Sequence, residues 1–269
     1  MIDQATKAAY HSDGAVPMRG VVSLAWIERL REGVEENLRE PGPYAKHYTP
    51  EGSPGRFFGD YCNWQRIAPY RAFFFESPAK ELAAELMGSS KVNLYHEHVL
   101  VKEPGTKERT PWHHDQPYYP IDGHDVISLW IPLDPVARSV CPEFIAGSQR
   151  WGRWFTPARF ADMKVHDAAK DSRFEPPPDF EAERDQHRIL QWELEVGDCI
   201  AFHGLTVHGA PENASVHRRR AFSARFTGTD ARFMPRSGFM SPPPPPSGGP
   251  QPGAAMDSDA FPVLLGRAD

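Results

Sequence analysis

The chain has 269 residues, a formal net charge of -6 and a sequence pI of about 6.1. This balance argues against nucleic-acid or anionic-membrane binding, which usually requires a basic face. Hydrophobic residues make up 40% of the chain and aromatic residues 12%, enough for the core of one domain spanning 1–269. No apolar run could cross a bilayer, and the first residues lack the apolar core of a signal peptide. We therefore expect a cytoplasmic protein with small-molecule partners, and the sequence leaves the oligomeric state open.

The three cysteines are Cys62, Cys141 and Cys199. Their number is odd, they are widely spaced, and no two form a C-x-x-C pair. The pattern therefore predicts neither a disulfide framework nor a thiolate zinc site, and we expect small buried hydrophobic residues.

The first third of the chain has helical patterns. Residues 14–38 read as a short extended segment, an N-cap at Ser23 and an amphipathic helix whose apolar side carries Trp26, Ile27, Leu30 and Val34. Residues 67–88 form a second helical region, with a cap signal at Ser77 and a stop at Gly88.

From Lys91 onward the pattern changes to short β-like runs separated by turn residues. The predicted strands are 91–102, 126–133, 189–196, 199–204 and 219–228. The predicted helices come first in the chain and the many predicted strands follow. This order indicates an α+β, mainly β fold, with an antiparallel sandwich or barrel covered by helices on one side.

Two segments interrupt this order. Residues 150–188 have no clear period and form a long insertion between strands, which we interpret as a lid. Residues 241–255 are proline-rich and favour polyproline II, and either this run is a disordered tail or it is ordered. The apolar residues 259–266 that follow are expected to dock back on the body.

The segment PWHHDQPYY, residues 111–119, contains half of a potential metal site. Alternate side chains of an extended segment share a face, so His113 and Asp115 can point to one place while His114 points away. The run from 197 to 226 offers His203, His208 and His217 as a third ligand. We select His208, which ends a β-like run just before a glycine.

Two histidines and one carboxylate form the facial triad that binds Fe(II) and leaves coordination positions open. A catalytic zinc with the same three ligands and a water is a second interpretation. Past His208, alternation in the strand at 219–226 places Arg219, Ala221 and Ser223 on one face. A guanidinium among small neighbours suits a bound dicarboxylate, which favours iron.

The sequence resembles the phytanoyl-CoA dioxygenase family of Fe(II)/2-oxoglutarate oxygenases. The resemblance lies in LVKEPGTKERTPWHHDQPYYP, VISLWIPLD, CPEFIAGSQRW, LEVGDCIAFHGLTVHGAPENAS and RRAFSARF. It implies a double-stranded β-helix, also called a jelly roll and similar to cupins, with helices packed on the major sheet.

The resemblance also implies functions for individual residues. His113, Asp115 and His208 would bind iron, and Arg219 would bind the far carboxylate of 2-oxoglutarate. Two further residues, Trp130 and His98, would line the cosubstrate pocket. The other histidines of these segments are expected to be solvent-facing or structural; they are His114, His124, His203 and His217.

The chain departs from the family pattern at two places. Ala210 stands where some relatives have a serine that contacts the cosubstrate, which puts more weight on Arg219. Residues 141–149 vary a family motif, with Gln149 in place of its histidine. Neither change affects the proposed metal ligands, but both leave the substrate undetermined.

The implied activity is hydroxylation of a small organic substrate, with Fe(II), 2-oxoglutarate and O2 as cofactor and cosubstrates and with release of succinate and CO2. Two alternatives come from other classes of protein. One is a metal-dependent hydrolase that uses the same triad, and the other is a non-catalytic jelly-roll ligand binder. The intact triad and arginine argue against the binder, which needs neither.

Overall fold

Four α-helices cover the larger of the two main sheets in the computed structural model, which describes residues 2–157 and 173–267. They are α1 Gln4–Asp13, α2 Leu24–Arg39, α3 Ala68–Glu76 and α4 Ala79–Met87. As predicted, Ser23 caps α2 by accepting the Trp26 N–H at 3.4 Å, and Gly88 ends α4 at φ +71°. The predicted second helical region is two helices, separated at Ser77 and Pro78. Helix α1 was not predicted, although Asp3 caps it by accepting the Thr6 N–H at 2.8 Å.

Sixteen strands follow or lie between these helices in the described residues. They are β1 Ala15–Met18, β2 Lys46–His47, β3 Phe57–Tyr61, β4 Val92–Lys102, β5 Thr110–His113, β6 Ile121–Asp122, β7 Val126–Pro132, β8 Glu143–Ile145, β9 Trp154–Phe155, β10 Phe174–Glu175, β11 Ile189–Leu190, β12 Cys199–His203, β13 His208–Ala210, β14 Arg219–Thr227, β15 Arg232–Phe233 and β16 Val263–Leu265.

Two antiparallel sheets make up the body of the fold. The larger has the order β1-β12-β7-β14-β4-β3-β2, with β16 paired to β4, and the smaller has the order β11-β8-β13-β5. This arrangement is the expected double-stranded β-helix, in a mainly β fold with its helices on the larger sheet. The predicted strand at 189–196 is wrong for most of its length. Only Ile189 and Leu190 pair as a strand, and Leu194 makes an isolated bridge to Val136, because the segment runs along a sheet edge with little partner strand.

The alternation predicted for β14 is confirmed. Phe222 packs against Tyr70, Phe73 and Phe74 of helix α3, with ring centroids 4.9 to 6.0 Å apart. This face forms the main core with the helices, so the opposite face of the strand is directed towards the smaller sheet.

The structure describes only part of the predicted insertion at 150–188, whereas it describes the C-terminal segment up to residue 267. Of the predicted lid at 150–188, residues 158–172 lie outside the described residues. Its described parts pack on the smaller sheet, where Phe180 contacts Trp112 at 6.4 Å between ring centroids. The C-terminal apolar segment docks as expected, since β16 pairs with β4. None of the described helices has the length and apolar character required to cross a membrane.

Candidate active site

A cavity of about 360 Å³ lies between the two sheets. Side chains from both sheets line it, including all the residues for which the sequence predicts metal or cosubstrate contacts. The structure therefore brings together residues that span 98 to 219. The described residues of the 150–188 insertion do not line this cavity, and the lid remains a prediction.

The predicted metal ligands converge at one point of the cavity. His113 ends β5 and lies directly opposite His208, which begins β13, in the antiparallel pairing of these strands. Asp115 reaches the same point through a turn rather than through a continued strand, since its φ of -72° and ψ of -44° are helical. The ligand atoms of all three lie within 4.8 Å of one another.

Hydrogen bonds orient both imidazoles. His113 Nδ1 lies 2.8 Å from the Pro111 carbonyl, and His208 Nδ1 lies 2.9 Å from the Thr206 carbonyl. A carbonyl only accepts, so each Nδ1 carries the proton and each Nε2 offers a lone pair. The two Nε2 atoms lie 3.5 and 3.8 Å from Asp115 Oδ1. Two imidazole nitrogens and a carboxylate oxygen form a donor set that fits a divalent transition metal.

Asp115 is held by a buried arginine that the sequence analysis did not identify. Arg225 donates from Nε and Nη2 to Asp115 Oδ2 at 3.3 and 3.2 Å, and Ser128 donates to the same oxygen at 3.4 Å. Burial by itself would raise the pKa of Asp115, but Arg225, and then His113 and His208, hold it well below the usual carboxyl range. The alternation that selects Arg219 and Ser223 also selects Arg225, so the signal was present in the strand.

His114 points away from the triad, as predicted, and it is buried, which fits the structural role that was one of the two expected for it. Its Nε2 accepts the Phe155 N–H at 2.7 Å, which ties the start of the insertion to the segment that carries the ligands. Burial lowers the pKa of His114 to about 3, so it is neutral and can accept this bond. His203 pairs with His124 at 3.0 Å between ring nitrogens, and His217 is exposed.

Arg219 lies in the same cavity, at the other end of the inward face of β14. It is buried and donates to the Val140 carbonyl, and it forms no ion pair within the part of the chain that the structure describes. Burial lowers its pKa to about 10. The neighbours Arg218 and Arg220 point outward and pair with Glu103 at 2.8 Å and Asp134 at 2.7 Å. Arg219 is therefore a charged group that a bound anion would stabilise.

Trp130 and His98 both line the cavity, on strands that flank β14. The register places Ser223 between them, opposite Trp130 on one side and His98 on the other. Trp130 is buried, and burial, followed by the charge of Arg225, lowers the pKa of His98 to about 3. Ala210 also lines the cavity.

Several further residues of the cavity wall were missed, and three of them show why. His96 lies two positions before His98 on the same strand, so alternation could have identified it. Phe239 and Ser241 come from the C-terminal segment. No pattern in the sequence connects that segment with residues more than a hundred positions earlier, so only the tertiary structure identifies them.

Comparison with known proteins identifies a family. The sequence model of the phytanoyl-CoA dioxygenase family matches residues 10–221. The peroxisomal phytanoyl-CoA dioxygenase of Homo sapiens is 24% identical over 149 residues. That alignment spans 52% of this chain and 40% of the human protein.

Solved structures share the fold over nearly the whole chain. SnoK, an alpha ketoglutarate dependent carbocyclase from nogalamycin biosynthesis, is 21% identical with a TM-score of 0.73, covering 97% of this chain and 96% of its own. The epimerase SnoN, in complex with Fe3+, alpha ketoglutarate and nogalamycin RO, is 21% identical with a TM-score of 0.73, and the match covers 97% of this chain and 98% of SnoN. EctD from S. alaskensis, with 2-oxoglutarate and 5-hydroxyectoine, is 14% identical with a TM-score of 0.68, covering 95% and 86%. At these identities the likeness shows a common fold.

The geometry of the triad predicts which histidines bind metal. His113→Ala and His208→Ala should abolish Fe(II) binding, measured by anaerobic titration calorimetry, because each removes one ligand nitrogen. His114→Ala should keep metal affinity and lose about 1–3 kcal/mol of unfolding free energy, because the Phe155 N–H loses its acceptor. Loss of Fe(II) binding in His114→Ala alone would disprove the ligand assignment.

The contact of Arg225 with Asp115 predicts a role in holding the ligand. Arg225→Met should weaken Fe(II) binding by about 10- to 100-fold, the usual effect of removing a group that orients a metal ligand. Arg225→Lys should restore part of the affinity, and Arg220→Met, on the outward face, should leave it unchanged. Circular dichroism would check that each variant is folded, and an unchanged affinity in folded Arg225→Met would contradict the prediction.

Proposed function

The chain belongs to the phytanoyl-CoA dioxygenase family, and on that premise we propose that it is an Fe(II)- and 2-oxoglutarate-dependent dioxygenase that hydroxylates a small organic substrate. The observation that carries the proposal is that one cavity contains both a group of three potential metal ligands and a buried arginine, Arg219, that pairs with no carboxylate of the described residues. A hydrolase needs the triad but has no use for this arginine. A ligand binder needs neither group.

The residues present fit both iron and 2-oxoglutarate. His113, Asp115 and His208 would hold the metal through two Nε2 atoms and one carboxylate oxygen, and Arg219 would bind the distal carboxylate of the cosubstrate. When bound, iron and 2-oxoglutarate supply the activation of O2, with release of succinate and CO2. The structure of SnoN contains both Fe3+ and alpha ketoglutarate, which supports the assignment by analogy.

The chain's own contribution is to position these groups and to exclude water. Phe144 stacks against His208 at 5.6 Å between ring centroids, and Phe202 lies 4.7 Å from the same ring. These rings cover one side of the proposed metal site. We assign Trp130 and His98 to the wall of the cosubstrate pocket, since both line the cavity beside Ser223.

Hydroxylation is the outcome that we propose, although SnoK is a carbocyclase and SnoN an epimerase. Some similar proteins chlorinate their substrates, and in those a halide takes the metal position that the Asp115 carboxylate would hold here. Accordingly the product should gain one oxygen atom from O2 whether or not chloride is added.

The proposal is tested by a substrate panel read first by 2-oxoglutarate-dependent succinate release and then by mass spectrometry in labelled O2. A hydroxylase gives a product with one labelled oxygen. Ring closure would remove two hydrogens without adding oxygen, and epimerisation would leave the mass unchanged. A chlorinated product would overturn the role given to Asp115. Absence of succinate release across the panel, with zinc in the purified protein, would favour the hydrolase.

Removal of Arg219 tests the cosubstrate site. Arg219→Met deletes a buried charge-assisted contact worth roughly 2 to 4 kcal/mol, so the apparent 2-oxoglutarate requirement should rise about tenfold or more. Fe(II) affinity should change little, because Arg219 does not touch the triad. Arg218→Met and Arg220→Met serve as controls, and a larger effect in either would contradict the assignment.

A further inference from the structure

The inward face of β14 carries a second arginine, far from the first. Arg219 and Arg225 are six residues apart on one strand, about 20 Å at roughly 3.3 Å per residue. If Arg219 binds the distal carboxylate of the cosubstrate, Arg225 cannot contact that same carboxylate. The contact of Arg225 with Asp115 places it at the metal end of the cavity.

Arg225 has a donor to spare. Its Nε and Nη2 atoms are directed at Asp115 and its guanidinium also interacts with the Tyr119 hydroxyl, while Nη1 is buried and makes no hydrogen bond to the described residues. His96 lies opposite Arg225 on β4, and its Nδ1 is likewise buried without a partner. Buried polar atoms without partners are rare. Two of them, on facing residues that line the same cavity, indicate a place where a bound molecule supplies the missing partners.

The charges of the cavity indicate what kind of molecule this is. Of the described residues that line it, Asp115 is the one carboxylate, whereas Arg219, Arg225 and Lys46 are cationic. One carboxylate against three cations leaves the described wall with a net positive charge, which favours an anion, and a guanidinium N–H pairs best with a carboxylate oxygen.

The size of the cavity limits that molecule. At about 360 Å³ it is near the lower end of ligand pockets, which span roughly 300 to 1,000 Å³, and the cosubstrate would occupy part of it. The C-terminal segment closes the side next to His96. Ser241 donates from its backbone to the Tyr118 carbonyl at 2.8 Å and from its hydroxyl to the Tyr61 hydroxyl at 3.1 Å, and Phe239 lies beside it on the cavity wall.

We propose that the primary substrate is a small carboxylic acid, with its carboxylate bound at the Arg225 and His96 corner and its carbon body against Phe239. This inference rests on the proposed function, because it assigns the Arg219 end to the cosubstrate. It makes Phe239, outside the region matched by the family model, a residue that selects substrates by size.

The experiment measures binding to the Fe(II) and 2-oxoglutarate complex without O2, by calorimetry. The probes are hexanoate, phenylacetate and 3-phenylpropionate, each compared with its neutral amide. Acids should bind about tenfold or more tightly than their amides, and His96→Leu should weaken acid binding while the matched exposed variant His217→Leu does not.

Phe239→Ala should shift the preference toward larger acids and Phe239→Trp toward smaller ones, a reciprocal change that a merely structural role would not produce. Leu24→Ala, at an exposed site, is the control.

Each contrary result has a distinct meaning. Equal binding of acids and amides would overturn the anion subsite. If His96→Leu weakens 2-oxoglutarate binding and leaves the acids unaffected, the corner serves the cosubstrate, and the inference fails while the proposed function stands. If acids bind selectively but no succinate forms with any compound in air, the proposed function fails and the subsite remains.

Discussion

The pairing of His113 with His208 across β5 and β13 is the constraint on which the site depends. Two residues that are ninety-five positions apart in the chain become direct neighbours because their strands are hydrogen-bonded in register. A slip of one residue in either strand would send its ring to the opposite face of the sheet and separate the two histidines. The backbone carbonyls of Pro111 and Thr206 then fix both tautomers, so the same local backbone that forms the sheet prepares the two nitrogens for a metal.

The charge of Asp115 depends on the larger sheet rather than on the strand that carries its neighbours. A buried carboxylate would ordinarily become neutral, but Arg225 of β14 and Ser128 of β7 reach it from the facing sheet. The proposed metal site is thus shared between the two sheets, with the histidines supplied by the smaller one and the electrostatic support by the larger. The complete arrangement of these side chains therefore requires the two sheets to be packed together.

The two faces of β14 have separate tasks. Phe222 and Phe226 join the aromatic core beneath the helices, and this packing anchors the strand. The opposite face then carries Arg219 and Arg225 into the cavity at distant points along the strand. Because both arginines lie on one strand, the spacing of its residues sets the separation of the two guanidinium groups, and this separation suits the two binding positions that we propose.

The sequence by itself determined the elements whose physics is local. Helix caps at Ser23 and Gly88, the β-runs of β4, β7, β12 and β14, and the inward placement of Arg219 all follow from capping chemistry and from alternation with period two. The residue pattern suggested the proposed metal ligands His113, Asp115 and His208, and the family resemblance added the double-stranded β-helix. Only the tertiary structure decided the contacts between distant segments, among them the Arg225 support of Asp115 and the closure of the cavity by Phe239 and Ser241. The physical reason is that the face of a strand or helix on which a side chain lies depends on the residues next to it in the sequence. Its contacts across a cavity depend instead on how the two sheets and the C-terminal segment pack together.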